Sequence, residues 1–75
     1  MLIPSRVIIR ELKKKYPAGC TVELVEMNDL QAPPPGTKGT VVCVDGIGTI
    51  HVRWETGSAL GVVYGEDECK VVSAS

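Results

Sequence analysis

Between Arg6 and Tyr16 apolar side chains return at helical spacing, and after Gly19 they return at every second position. At about 100° per residue, Ile8, Ile9, Leu12 and Tyr16 fall within one quadrant, with Arg6, Arg10, Lys13 and Lys14 clustered opposite. Val7 lies outside that quadrant. Ser5, just after Pro4, is placed to cap this helix, Glu11 and Lys15 form an i,i+4 pair, and Pro17 with Gly19 ends the segment. The pattern predicts one short amphipathic helix with an apolar face that must dock on something.

From Thr21 onward β-branched residues dominate and turn residues interrupt them at short intervals. Strands are expected near Thr21–Met27, Thr40–Val44, Thr49–Trp54, Ser58–Tyr64 and Lys70–Val72. Five short strands in so few residues favour a closed or nearly closed small barrel, because an open sheet of this size leaves edges unprotected. The Asp45-Gly46-Ile47-Gly48 turn pairs Val44 with Thr49, Val42 with His51 and Val41 with Val52. One face then collects Val41, Cys43, Ile50, Val52 and Trp54 as the expected core. The next turn, Glu55 to Ser58, sets Trp54 against Ala59, Val52 against Gly61 and Ile50 against Val63. The opposite face gathers Val42, Val44, Leu60, Val62 and Tyr64 around His51 and Arg53, an apolar patch needing a cover. The helix is the first candidate for that cover, and a homodimer the rival.

The stretch PPPGTKGTVV from Pro33 to Val42 has the letters of a phosphate-binding loop but not its spacing. Lys38 precedes the second glycine, and the chain continues as a strand instead of opening a helix. Its structural reading is direct: three prolines hold the chain extended, Gly36 permits a turn, and Gly39 permits a close backbone approach where the second strand begins.

Seventy-five residues allow one domain, with residues 1–18 as a helix packing on a barrel of residues 19–75. The apolar runs are too short to span a membrane, and the N-terminus has no extended apolar region of secretory type, so a cytoplasmic protein is expected. Cys20, Cys43 and Cys69 form no CxxC pair and fit reduced thiols. With His51 the only histidine, a zinc site lacks a recognisable ligand set, and neither metal nor cofactor is expected. His51 as the sole imidazole, on the face opposite the expected core, argues against catalysis, and Cys43 is read as a small core hydrophobe. Charge is uneven: up to Cys20, five basic residues face Glu11 alone, whereas after it three basic residues face eight acidic ones. Glu66-Asp67-Glu68 is read as a solvated acidic turn.

The ordered run GTKGTVVCVDGIGTIHVRWETGSALGVV is similar to small SH3-like barrels. Nearly the whole chain resembles the bacterial domain of unknown function family 4314. The matching pieces are PSR at Pro4 to Arg6, YPAG at Tyr16 to Gly19, M-x-D at Met27 to Asp29 and QAPPPGTKGTV at Gln31 to Val41. They continue with D-x-I-G-x-I-H-V-x-W at Asp45 to Trp54, GSAL at Gly57 to Leu60 and GEDE at Gly65 to Glu68. Gly46 departs from the acidic residue expected beside Asp45. The resemblance implies a mainly β fold, a five-stranded SH3-like barrel with one N-terminal helix, in a family of small bacterial proteins without an established activity. By analogy with that fold, a non-enzymatic protein-interaction or adaptor module would use Asn28, Asp29, Leu30, Gln31, Pro33, Pro34 and Pro35 together with Glu55 and Thr56. Asp29 and Glu55 would favour a basic ligand. The alternative is a nucleic-acid-binding accessory protein contacting phosphates through Arg6, Arg10, Lys13 and Lys14, aided by Arg53 and Lys38.

Overall fold

A computed structural model describes residues 4–73. Helix α1 (Arg6–Lys15) is followed by β1 (Thr21–Glu26), β2 (Lys38–Val44), β3 (Thr49–Trp54), β4 (Val62–Val63) and β5 (Glu68–Ser73). All pairings are antiparallel, in one sheet of order β4-β3-β2-β1-β5. The protein is mainly β, and among the described residues no ladder joins β4 to β5, so the sheet is not closed.

The helix begins as its sequence dictates: the Ile8 amide donates to Ser5 Oγ at 3.3 Å and the Ile9 amide to the Ser5 carbonyl at 3.0 Å. Three lysines in its last turn favour the negative end of its dipole. Leu12 and Tyr16 are buried, Ile8 and Ile9 half-buried, and Val7 exposed. Glu11 meets Lys14 at 3.9 Å, so the expected partner Lys15 gives way to the residue one position nearer.

One core unites Leu12 and Tyr16 with Cys20, Val22, Leu24, Val41, Val44, Ile50, Val52, Trp54, Val62 and Cys69. The expected register holds from Gly39↔Trp54 through Val41↔Val52, then shifts by one, giving Cys43↔His51 and Val44↔Ile50. Val42 is the extra residue of this bulge. Because side chains alternate across a strand, one inserted residue exchanges the two faces beyond it. Cys43, expected in the core, is exposed, and Val44, expected outside, is buried. A second one-residue difference lies between β3 and β4, where Ile50 pairs with Val62 instead of Val63 and brings Val62 inward. The expected outer apolar patch is therefore dissolved. Val44 and Val62 join the same core as the helix, while Val42 and Tyr64 remain exposed.

The expected strand Ser58–Tyr64 contracts to Val62–Val63 because Trp54 captures the preceding segment. The Trp54 amide donates to the Ser58 carbonyl at 2.9 Å, and its indole Nε1 donates to the Leu60 carbonyl at 2.8 Å. Residues 58–61 thus wrap the buried indole instead of extending the ladder. On β2, Gly39 lies opposite Trp54, and a Cβ there would come within 2.5 Å of Val52 Cγ1 and 2.8 Å of Trp54 Cε3. That close approach is the one its sequence position suggests.

Candidate functional site: the seam between the sheet edges

The turn between β4 and β5 is tied to the start of the β1–β2 loop by the Asp67 side chain. Asp67 Oδ2 accepts from the Val63 amide at 3.0 Å, and its Oδ1 accepts from the Asn28 amide at 3.1 Å. The Asp67 and Glu66 amides in turn donate to the Val63 carbonyl at 2.9 and 3.1 Å. On the other margin, the Tyr16 hydroxyl donates to the Cys69 carbonyl at 3.2 Å. Both amide and carbonyl of Leu24 bond towards the β1–β2 loop, so Cys69, its partner on β5, turns its own backbone groups to the free edge. The two edges that could recruit a foreign strand are thus partly occupied by the protein's own groups.

Two clefts flank this bridge. The smaller, of about 330 Å³, is lined by Met27, Asn28, Asp29, Gly61, Val63, Glu66 and Asp67. The larger, of about 590 Å³, has an apolar floor of Leu12, Tyr16, Ile50 and Val62, with Val25, Tyr64 and Cys69 beside it. Its charged rim is Glu26, Glu66, Asp67 and Glu68 against Lys15 and Lys70. Lys70 is drawn to Glu23 at 3.5 Å, and the Lys15 ammonium sits 5.4 Å from the centre of the Tyr16 ring. The floor stays neutral near pH 7, since burial is the main cause pushing the Tyr16 phenol up to about 12 and the Cys69 thiol up to about 11. Burial also raises the Cys20 thiol. Glu66 and Asp67 belong to both clefts, which makes the seam acidic along its length.

The residues expected to bind a partner are divided by the fold. Asn28 and Asp29 line the smaller cleft. Asp29 Oδ1 accepts from the Gln31 amide at 2.8 Å, a local turn that leaves Leu30 fully exposed at the loop tip. Pro33 is buried, so it supports the loop from beneath instead of offering a surface, while Pro34 and Pro35 are exposed. Pro34 to Thr37 make a turn with Pro35 second and Gly36 third, at φ +93°, closed by the Thr37 amide on the Pro34 carbonyl at 3.1 Å. Glu55 and Thr56 are exposed on the β3–β4 turn. The Glu55 amide bonds to the Lys38 carbonyl at 2.9 Å, placing this turn beside the start of β2, and neither residue lines the cleft that holds Asn28 and Asp29. The wall opposite that loop is instead the Gly61 to Asp67 segment. Glu66 and Glu68 are exposed, as expected of a solvated acidic turn, while Asp67 is half-buried and bonded to Val63 and Asn28.

Arg6, Arg10, Lys13 and Lys14 are all exposed on the outer side of α1. Arg53 and Lys38 are also exposed. On the outer face of the β2–β3 hairpin, Asp45 Oδ1 accepts from the Ile47 and Thr49 amides at 3.0 and 2.9 Å, and its Oδ2 meets His51 Nε2 at 2.8 Å. The His51 contact, followed by the Thr49 amide, holds the Asp45 carboxyl below its usual range. Among the described residues no group of three or more His, Cys, Asp or Glu side chains is placed to hold a metal ion. None of their helices is long and apolar enough to cross a membrane.

The fold and seam define a small, mainly β protein of one antiparallel sheet and one packed helix, with an acidic cleft pair where the sheet remains open. The family model described as Domain of unknown function (DUF4314) matches residues 5–72, and the chain belongs to that family. No curated protein and no solved structure matches it.

Proposed function

We propose that this chain is a non-enzymatic, SH3-like interaction module that receives a basic segment of a protein partner along the acidic seam. The observation that carries this reading is the shared acidic wall: Glu66 and Asp67 face both clefts, Asp29 stands on the opposite lip, and Leu30 beside it is fully exposed. Lys or Arg of the partner would meet these carboxylates, while an aliphatic residue would enter the Leu12, Ile50 and Val62 floor. The strand order β4-β3-β2-β1-β5 supports the SH3-like reading, as a barrel whose β4–β5 turn is tied by Asp67 to the β1–β2 loop. Three free cysteines fit a reducing, cytoplasmic setting.

Random-peptide display on the native protein tests the reading. Enriched sequences are expected to pair Lys or Arg with an aliphatic residue. Glu66→Lys, a change at an exposed side chain, is expected to weaken the selected peptides about tenfold, or about 1.4 kcal/mol. Failure to enrich, or binding by Glu66→Lys equal to that of the native protein, overturns it.

A second reading rests on the exposed basic side of α1, which would contact nucleic-acid phosphates. Fluorescence anisotropy with labelled single- and double-stranded DNA and RNA at low and near-physiological salt decides it. Phosphate contacts require a steep loss of affinity with salt, abolished by charge reversal at Arg10 and Lys13. The absence of binding at low salt removes it.

A further inference from the structure

The bulge at Val42 creates a constellation that the interaction reading does not use. Beyond the bulge Cys43 is the cross-strand partner of His51, and both side chains stand on the outer face, Cys43 exposed and His51 half-buried. In such pairs the Cβ atoms lie roughly 5 Å apart. His51 is not free to turn, because Asp45 Oδ2 holds its Nε2 at 2.8 Å while Asp45 Oδ1 is fixed by two backbone amides. A carboxylate only accepts hydrogen bonds, so in the neutral ring Nε2 carries the proton and Nδ1 keeps its lone pair. Nucleophile, base and the carboxylate that orients the base are thus gathered on one hairpin.

We propose that Cys43 is a thiol-modification site that exchanges with low-molecular-weight disulfides, with the Asp45-oriented His51 imidazole taking up the thiol proton. In the exchange the Cys43 proton passes to His51 Nδ1 and the thiolate attacks one sulfur of R–S–S–R. A new S–S bond forms to Cys43, the original one breaks, and the departing thiolate takes the proton back from His51. Cys43-SH and R–S–S–R become Cys43-S–S–R and R–SH, with no net oxidation. Arg53 is also exposed on β3, and the Ala18–Gly19 segment across β2 carries no charged side chain. The other two thiols are internal controls, since Cys20 and Cys69 are buried and their pKa values raised.

The test is incubation of the native protein with oxidised glutathione between about pH 6 and 9, a range spanning imidazole titration, followed by intact mass and peptide mapping. One adduct is expected, at Cys43, absent in Cys43→Ser. His51→Gln is expected to slow its formation several-fold at neutral pH and to change the pH profile of its rate. No adduct in the native protein, an adduct on Cys20 or Cys69, or an unchanged profile in His51→Gln overturns the proposal. Should His51→Gln unfold, Cys20 and Cys69 would become reactive and report it. Asp45→Asn then decides: slower formation supports assistance by the oriented His51, and an unchanged rate refutes it.

Discussion

Replacing Asp67 by alanine removes one carboxylate and two hydrogen bonds that tie β4 to the entrance of the β1–β2 loop. The Val63 and Asn28 amides lose their acceptors, Asp67 Oδ2 and Oδ1, together, the Val63 contact being part-buried and the Asn28 contact exposed. A hydrogen bond to a charged acceptor contributes up to about 1.5–3 kcal/mol, and one in contact with water nearer 1. The pair therefore stabilises the fold by about 2 kcal/mol. In a domain of this size each kcal/mol moves the midpoint roughly 4–8 °C, so Asp67→Ala should melt about 8–16 °C lower. Asp67→Asn keeps one acceptor oxygen and should lose about half as much. Thermal and urea unfolding measure the total, and amide exchange locates it: Val63 and Asn28 should lose protection while the Val41 amide, bonded to the Cys20 carbonyl, keeps it. A loss below about 0.5 kcal/mol, the scale of an ordinary surface substitution, would refute the bridging role of Asp67.

Gly39→Ala should destabilise by about 1–3 kcal/mol and shift the Trp54 emission, because the added methyl meets both the Val52 side chain and the indole; unchanged stability and spectrum would contradict that packing. Tyr16→Phe should cost about 1 kcal/mol through the lost bond to the Cys69 carbonyl, read by urea unfolding. At alkaline pH the folded chain holds the Tyr16 proton to about 12 while an unfolded tyrosine releases it near 10.0, so stability from this group is complete below pH 10 and declines as pH rises towards 12. Spectrophotometric titration and alkaline unfolding check this, and Tyr16→Phe should remove its part of the decline while the raised thiols of Cys20 and Cys69 leave theirs. At acid pH the sign reverses: Asp45, depressed below its ordinary 3.8, contributes stability above that value and loses it as pH falls through the folded pKa. Melts across the acid range should show a shallower pH dependence for Asp45→Asn.

The helix was legible because its cap, its stripe and its terminator agree residue by residue, from Ser5 through Leu12 to Pro17. The β2–β3 hairpin was legible as far as Val41, and Trp54 and Gly39 occupy the buried and close-packed positions expected of them. Beyond Val41 a period-2 reading has no means of seeing an inserted residue. Val41, Val42, Cys43 and Val44 are all apolar, so no polar position marks which of them turns outward. The same indifference hid the β3–β4 register, where Val62 and Val63 are interchangeable by pattern and the choice falls to the wrapping of Ser58 to Gly61 around the indole. The loop from Asn28 to Gly36 lies between β1 and β2 as expected, but its facing wall depends on the Asp67 side chain reaching Asn28, a long-range contact without a local signature.

The pairing of β1 with β5, in which Leu24 meets Cys69, has a kinetic consequence. Helix, hairpin and β1–β2 contacts can assemble in chain order, but β1 keeps one side open until the last strand has left the ribosome. Closing so long a loop costs about 3 kcal/mol of chain entropy before any contact compensates it. Non-local topologies of this kind fold in milliseconds to seconds, not microseconds. A nascent chain stalled before residue 68 would therefore carry an exposed strand edge.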